Sequence, residues 1–197
     1  MKYLLFLILF PVAVVAQKTK GRFVGDVVAQ WLDNGRSMKL NKEFGYIDPN
    51  GKKWDVPKNT IVDGASIPQI FWTIIGGPFE GTYRNASVVH DYYCVVKTED
   101  WKDVHLMFYN ACLTGGTNLI KAKIMYAAVY AGGPRWRIDM SKSHGGNSVK
   151  MMAQRAIVSE DKLTEINKWI EKNNPSLEDI NNKLDKIVVV EDKVLKL

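Results

Sequence analysis

Only two cysteines occur in the 197 residues, Cys94 and Cys112, and neither belongs to a C-x-x-C pair. That excludes a disulfide-dense scaffold and the finger or ribbon type of zinc site. Histidine is almost as scarce, with three in the chain, so imidazole chemistry has to be drawn from His90, His105 and His144. Past the first sixteen residues no apolar run is long enough to cross a bilayer. No G-x-S-x-G elbow surrounds Ser66, which argues against a serine nucleophile there. Internal repeats are absent.

The opening MKYLLFLILFPVAVVA pairs Lys2 with a short apolar run and a small-residue ending before Gln17. Residues 1–16 therefore read as a cleaved signal peptide, with an uncleaved anchor as the alternative. No cysteine follows the run, which argues against a lipoprotein. An exported chain of periplasmic or extracellular location, without a transmembrane span after cleavage, is expected. The formal charge of +6, spread over scattered lysines, suits anionic lipid headgroups or wall polymers better than nucleic acid. Export would permit a disulfide, but an antiparallel helix pair would set Cys94 and Cys112 too far apart, so two separate thiols are expected.

Composition divides the remainder into a core domain over 17–140, a polar connector over 141–158 and an accessory segment over 159–197. Residues 21–63 hold three β-rich runs, FVGDVVAQWL, MKLNKEFGYID and KWDVPKNTIVD. Asp33-Asn34-Gly35 and Asp48-Pro49-Asn50-Gly51 separate them, which predicts a small antiparallel meander with Pro57 at a strand end or edge. Over 66–136 the spacing becomes helical and predicts three core helices, near Asn85–Val96, Asp100–Leu113 and Asn118–Ala131. In the accessory segment two amphipathic stretches predict a helical hairpin, carrying Leu163, Ile166 and Ile170 in one and Leu177, Ile180, Leu184 and Ile187 in the other. Packing against the core and binding a partner are both open to that hairpin. The fold class is α+β.

The stretch VDGASIPQIFWTIIGGPFEGTYRNASVVHDYYC concentrates the residues that can do chemistry. His90 and Asp91 are helix neighbours, so their side chains leave about 100 degrees apart and serve different partners. Gly76, Gly77 and Gly81 lie just upstream, where backbone groups can approach an ion; a carboxylate with backbone carbonyls is calcium-like ligation. On the second helix Trp101, His105, Phe108 and Cys112 share a face, so His105 points inward, while Asp103 projects away. His90, His105, Asp91 and Asp63 thus form a candidate cluster for zinc or another transition metal, although no local metal motif connects them. The alternatives are a hydrogen-bonded core histidine, a simple turn at Asp63-Gly64 and a helix cap at Ser66.

DGASIP with Phe71-Trp72, the GGPFEG turn, the HD-Y helix, the Phe-rich second helix and the MY-x-AV third helix resemble a bacterial and phage family known as domain of unknown function 1353. The resemblance runs from about Phe44 to Trp136. More distantly, D-G-x-S-x-P followed by an HD helix is similar to secreted bacterial phospholipase A2. That resemblance implies a phospholipase A2-like antiparallel helix pair with His90 as general base, Asp91 as calcium ligand and Gly76, Gly77 or Gly81 as loop donors. An aspartate from the second helix would orient the histidine. Here His105 stands at the expected place of that aspartate, with Asp103 nearby, and the phospholipase cysteine pattern is missing. Three readings follow: an envelope-associated hydrolase with phospholipase A2-like acyl-ester chemistry, a metal-dependent cell-wall hydrolase using His90, His105 and Asp91, and a non-enzymatic envelope or phage-derived structural module.

Overall fold

The computed structural model describes residues 20–64, 76–77, 79–139, 142–143, 146–147 and 150–193. The signal-like segment, Ser66, Phe71-Trp72 and His144 lie outside the described residues. The fold is α+β, with antiparallel sheets and a helical core.

Each of the three β-rich runs is bent in the middle and gives two short strands. They are β1 (Arg22–Val24) with β2 (Ala29–Trp31), β3 (Met38–Leu40) with β4 (Phe44–Ile47), and β5 (Lys53–Val56) with β6 (Ile61–Val62). One half of every run joins the sheet β1-β4-β5 and the other half joins β2-β3-β6. The meander order survives in both sheets. The bends fall at Gly25, with φ of +77°, and at Pro57 to Asn59, where Asn59 has φ of +70°. Proline cannot donate to a ladder, so the third run breaks there. At the two hairpin turns side chains do the fixing: Asn34 Oδ1 accepts from the amides of Arg36 and Ser37, and Asp48 Oδ1 accepts from those of Asn50 and Lys52.

Three helices follow: α1 (Arg84–Val96), α2 (Trp101–Thr114) and α3 (Leu119–Gly132). Asp100 caps α2 by accepting from the Lys102 amide, and Asn118 caps α3 by accepting from the Ile120 amide. These Asx caps satisfy amide donors that have no partner within the helix. The start of α1 meets the end of α2, where the Thr82 and Thr117 hydroxyls lie 2.9 Å apart, so α1 and α2 run antiparallel. α3 is buried from Ala122 to Ala131, where its sequence is small and apolar apart from Lys123 and suits a central helix.

Beyond α3 come β7 (Arg135–Asp139), the short pair β8 (Lys142–Ser143) and β9 (Gly146–Asn147), and β10 (Lys150–Ile157). Helices α4 (Glu160–Asn173) and α5 (Leu177–Asp185) and strand β11 (Val189–Lys193) complete the described chain. Within the stretch expected as a connector over 141–158, Lys150–Ile157 form β10, the central strand of the sheet β11-β10-β7. The polar SKSHGGNS stretch hid the apolar residues that follow it.

The C-terminal helices share the core. Leu163, Ile166, Ile170, Ile180 and Leu184 are buried with α3 in one cluster, and α3 reaches them through Tyr126 Oη to Asn181 Oδ1 and Tyr130 Oη to Asp185 Oδ1. Lys123 Nζ donates to Asn174 Oδ1 at 2.6 Å, Pro175 O at 2.6 Å and Asn174 O at 3.2 Å, closing the carbonyl end of α4. Lys123→Met keeps the apolar stem but leaves those acceptors without their donor. We expect it to lower unfolding free energy by about 2–4 kcal/mol in urea titrations; a change below about 0.5 kcal/mol would mean that water replaces the ammonium at no cost.

Candidate functional site

His90 and Asp91 divide their work as neighbours on a helix must. The Asp91 carboxylate turns toward the DG turn, where Oδ2 accepts from the Asp63 amide at 2.8 Å and the Gly64 amide at 3.1 Å. Gly64 has φ of +69°, a conformation that glycine adopts without the Cβ clash. Asp91, only 3% exposed, is thus a clamp that fastens the loop after β6 to α1. Asp63 meets it through its backbone amide.

The His90 ring turns toward α2. Its Nε2 lies 2.9 Å from Nδ1 of His105, and both residues have 0% exposure. Phe108 covers the His90 ring with centroids 4.6 Å apart, and Trp101 meets His105 edge-on at 5.5 Å. Burial pushes His90 from its ordinary 6.5 down to about 3. His105 is held well below 6.5, first by burial, then by charge on His90 and Arg135; the Pro134 backbone acts in the opposite direction. Both rings are therefore neutral at neutral pH. That Pro134 interaction falls short of a hydrogen bond, and His105 Nε2 is a buried atom without one.

The third member of the cluster was missed by sequence reasoning. Cys94 Sγ lies 3.6 Å from His90 Nε2 and 3.9 Å from Nδ1, and His90, Cys94 and His105 form the group able to hold a metal ion among the described residues. The signal was present: a cysteine four residues after a histidine shares its helix face. Cys112, by contrast, is a separate free thiol, buried and pushed up in pKa by that burial.

The expected carboxylate ligands give way to this set, since neither Asp63 nor Asp91 belongs to it. Asp103 is exposed in the first turn of α2, two residues from His105 and so on a different side of the helix. In the glycine loop the Gly77 carbonyl accepts from Tyr83 Oη at 2.7 Å and from the Glu80 amide at 3.2 Å, while the Glu80 carboxylate accepts from the Gly77 amide. Gly76 and Gly81 have φ of +93° and +59° and shape the turn around Glu80 and Tyr83. With its carbonyl already accepting twice, Gly77 is a poor cation donor.

No described helix is long and apolar enough to cross a membrane. No solved structure matches the chain. Two similar proteins come from Sinorhizobium fredii. "Uncharacterized protein y4jT" is 48% identical over 121 residues, 60% of this chain and 36% of that protein. "Uncharacterized protein y4iH" is 41% identical over 122 residues, 61% of this chain and 51% of that protein. The matched region thus spans about a third to a half of these relatives' own lengths. Residues 38–129, which include β3 to β6, the Asp91 clamp and the whole His90–Cys94–His105 cluster, match the family described as "Protein of unknown function (DUF1353)".

Proposed function

We infer that the chain is a non-enzymatic module of the bacterial envelope, built on a phospholipase A2-like helix pair whose acid–base centre is exchanged for a closed packing centre. The observation that carries this reading is the His90–His105 contact of 2.9 Å between two rings of 0% exposure. A hydrolytic base has to reach water and needs a partner that stabilises its protonated form. The aspartate that the resemblance calls for would do so; a second, neutral imidazole brings no negative charge to the imidazolium. The Asp91 carboxylate, which calcium would need, accepts two backbone amides. Export and a basic surface favour anionic lipid headgroups or wall polymers as the partner.

A metal-dependent wall hydrolase is the second reading, and the convergence of His90, Cys94 and His105 favours it. Closure of the site weighs against it, because a catalytic ion keeps one position open to water or substrate.

The test is release of fatty acid from phosphatidylglycerol vesicles and of fragments from peptidoglycan, with calcium, with zinc and with chelator, for the native chain and His90→Ala. We expect salt-sensitive binding and no release that depends on His90. Release that is lost in His90→Ala overturns the reading. A companion variant, His105→Asp, puts a carboxylate beside His90, and ¹⁵N NMR should then find the His90 pKa raised from about 3 toward neutrality. An unchanged His90 would mean that the two side chains do not meet.

A further inference from the structure

Cys94 and His90 leave the same face of α1, and His105 reaches them from α2. Sγ is 3.6 Å from His90 Nε2, the two imidazole nitrogens are 2.9 Å apart, and one donor atom of each residue lies within 4.8 Å of the other two. An ion held at about 2.0–2.1 Å by nitrogen and about 2.3 Å by sulfur sets neighbouring donors roughly 3.3–3.8 Å apart. The spacing of Cys94 Sγ from His90 Nε2 already fits. The nitrogen pair has to open by roughly half an ångström, which happens when an ion replaces the proton the two atoms share.

The hydrogen bonding of the pair also leaves the proton of His105 without a fixed place, and an ion on Nδ1 would settle it on Nε2, the atom without a partner. If His105 Nδ1 accepts from His90, its Nε2 carries a proton with no hydrogen-bond acceptor; if Nδ1 donates, Nε2 is a bare lone pair with no donor. Either tautomer buries an unsatisfied atom. A ligating Nδ1 fixes the proton on Nε2, on a ring that already interacts with the Pro134 backbone. Metal-bound histidines characteristically give their second N–H to such a carbonyl.

We propose that His90 Nε2, Cys94 Sγ and His105 Nδ1 bind one copper(I) ion. Charge selects this ion. The thiol proton leaves to solvent, the thiolate and the monovalent cation cancel, and a neutral complex remains in an interior that penalises net charge. Divalent zinc would leave one positive charge near Arg135, with no carboxylate in the cluster to offset it. A thiolate with two imidazoles also suits a soft ion that accepts three donors. Nothing is oxidised or reduced in this step. The proposal rests on the reading of the centre as closed and non-catalytic, and gives it a ligand.

The full chain, reduced and stripped of metal under anaerobic conditions, is titrated with copper(I) against the competitor bicinchoninate. We expect one equivalent to pass to the protein, with a thiolate-to-copper absorption band and a rise in Tm. Cys112→Ser keeps this behaviour and Cys94→Ser loses it. Should Cys94→Ser fold poorly, X-ray absorption of the native complex carries the test, with one sulfur and two nitrogen neighbours as the expected result. Copper that stays with the competitor, equal binding by both cysteine variants, or a preference for zinc overturns the proposal. Ester-release assays on the same samples separate the two claims. Absence of both copper binding and turnover removes only the copper site, whereas His90-dependent turnover removes the reading beneath it.

Discussion

The metal-free chain loses folding stability steadily as the pH falls below about 6.5, because unfolding there takes up the protons of two imidazoles. The cause is the pair of imidazoles with no exposure, whose native pKa values are depressed, that of His90 to about 3. Above the unfolded-state value of about 6.5 both rings are neutral in both states, and the full stability is present. Below it the unfolded chain takes up two protons that the folded chain refuses. Stability therefore falls with pH until the native values are reached. Between pH 6.5 and 4.5 the loss reaches several kcal/mol, on the order of a large fraction of the stability of many domains. Urea unfolding of chelator-treated protein at pH 7.5, 6.0 and 5.0 measures the slope. A profile that is flat over this range would show that the rings titrate as they do in water.

Asp91→Ala is the second large effect, expected to cost about 4 kcal/mol. Two amide donors, those of Asp63 and Gly64, lose their charged acceptor, and the cavity left in the interior adds to the loss. Asp91→Asn retains one carbonyl oxygen able to accept both bonds and should cost no more than about 2 kcal/mol. Thermal unfolding of the two variants checks the order. The clamp also distinguishes itself from a calcium ligand: calcium should leave the Tm of the native protein unchanged, whereas a bound calcium would raise it and Asp91→Asn would abolish the rise.

The local elements were legible in the sequence because short-range chemistry decides them. Asp100 and Asn118 fixed the starts of α2 and α3, and Asn34 and Asp48 fixed the hairpin turns, each through its own side-chain oxygen. The break at Pro57 was legible as punctuation and the bend at Gly25 was not, and the consequence of both, two sheets sharing three runs, depends on pairing between distant strands. Lys123 illustrates what was not legible. A lysine in an apolar helix gives no sign that the carbonyls of residues 174 and 175 await it, so the C-terminal helices read as an accessory rather than as part of the core. β10 was obscured for a related reason, since its apolar residues find their partners in β7 and β11 from opposite ends of the C-terminal region.

The candidate site was half legible. Inward-facing His105 and the divided roles of His90 and Asp91 follow from helical periodicity alone. Cys94 was expected only as a separate thiol, since no second cysteine lies at metal-ligand spacing, whereas its partner is the histidine one turn earlier. Asp91 was read as a ligand because a carboxylate beside a glycine-rich loop has two uses, holding an ion or holding amides. Only the Oδ2 contacts with Asp63 and Gly64 distinguish them.

The central claim is that His90 and His105 form a closed, neutral pair that does not exchange protons with solvent. ¹⁵N NMR of the ring nitrogens in chelator-treated protein between pH 8 and 5.5 tests it most directly. The account requires both rings to remain neutral across that range, with each holding one tautomer; a ring that titrates near its ordinary 6.5 would contradict it and return His90 to the role of a base in contact with water.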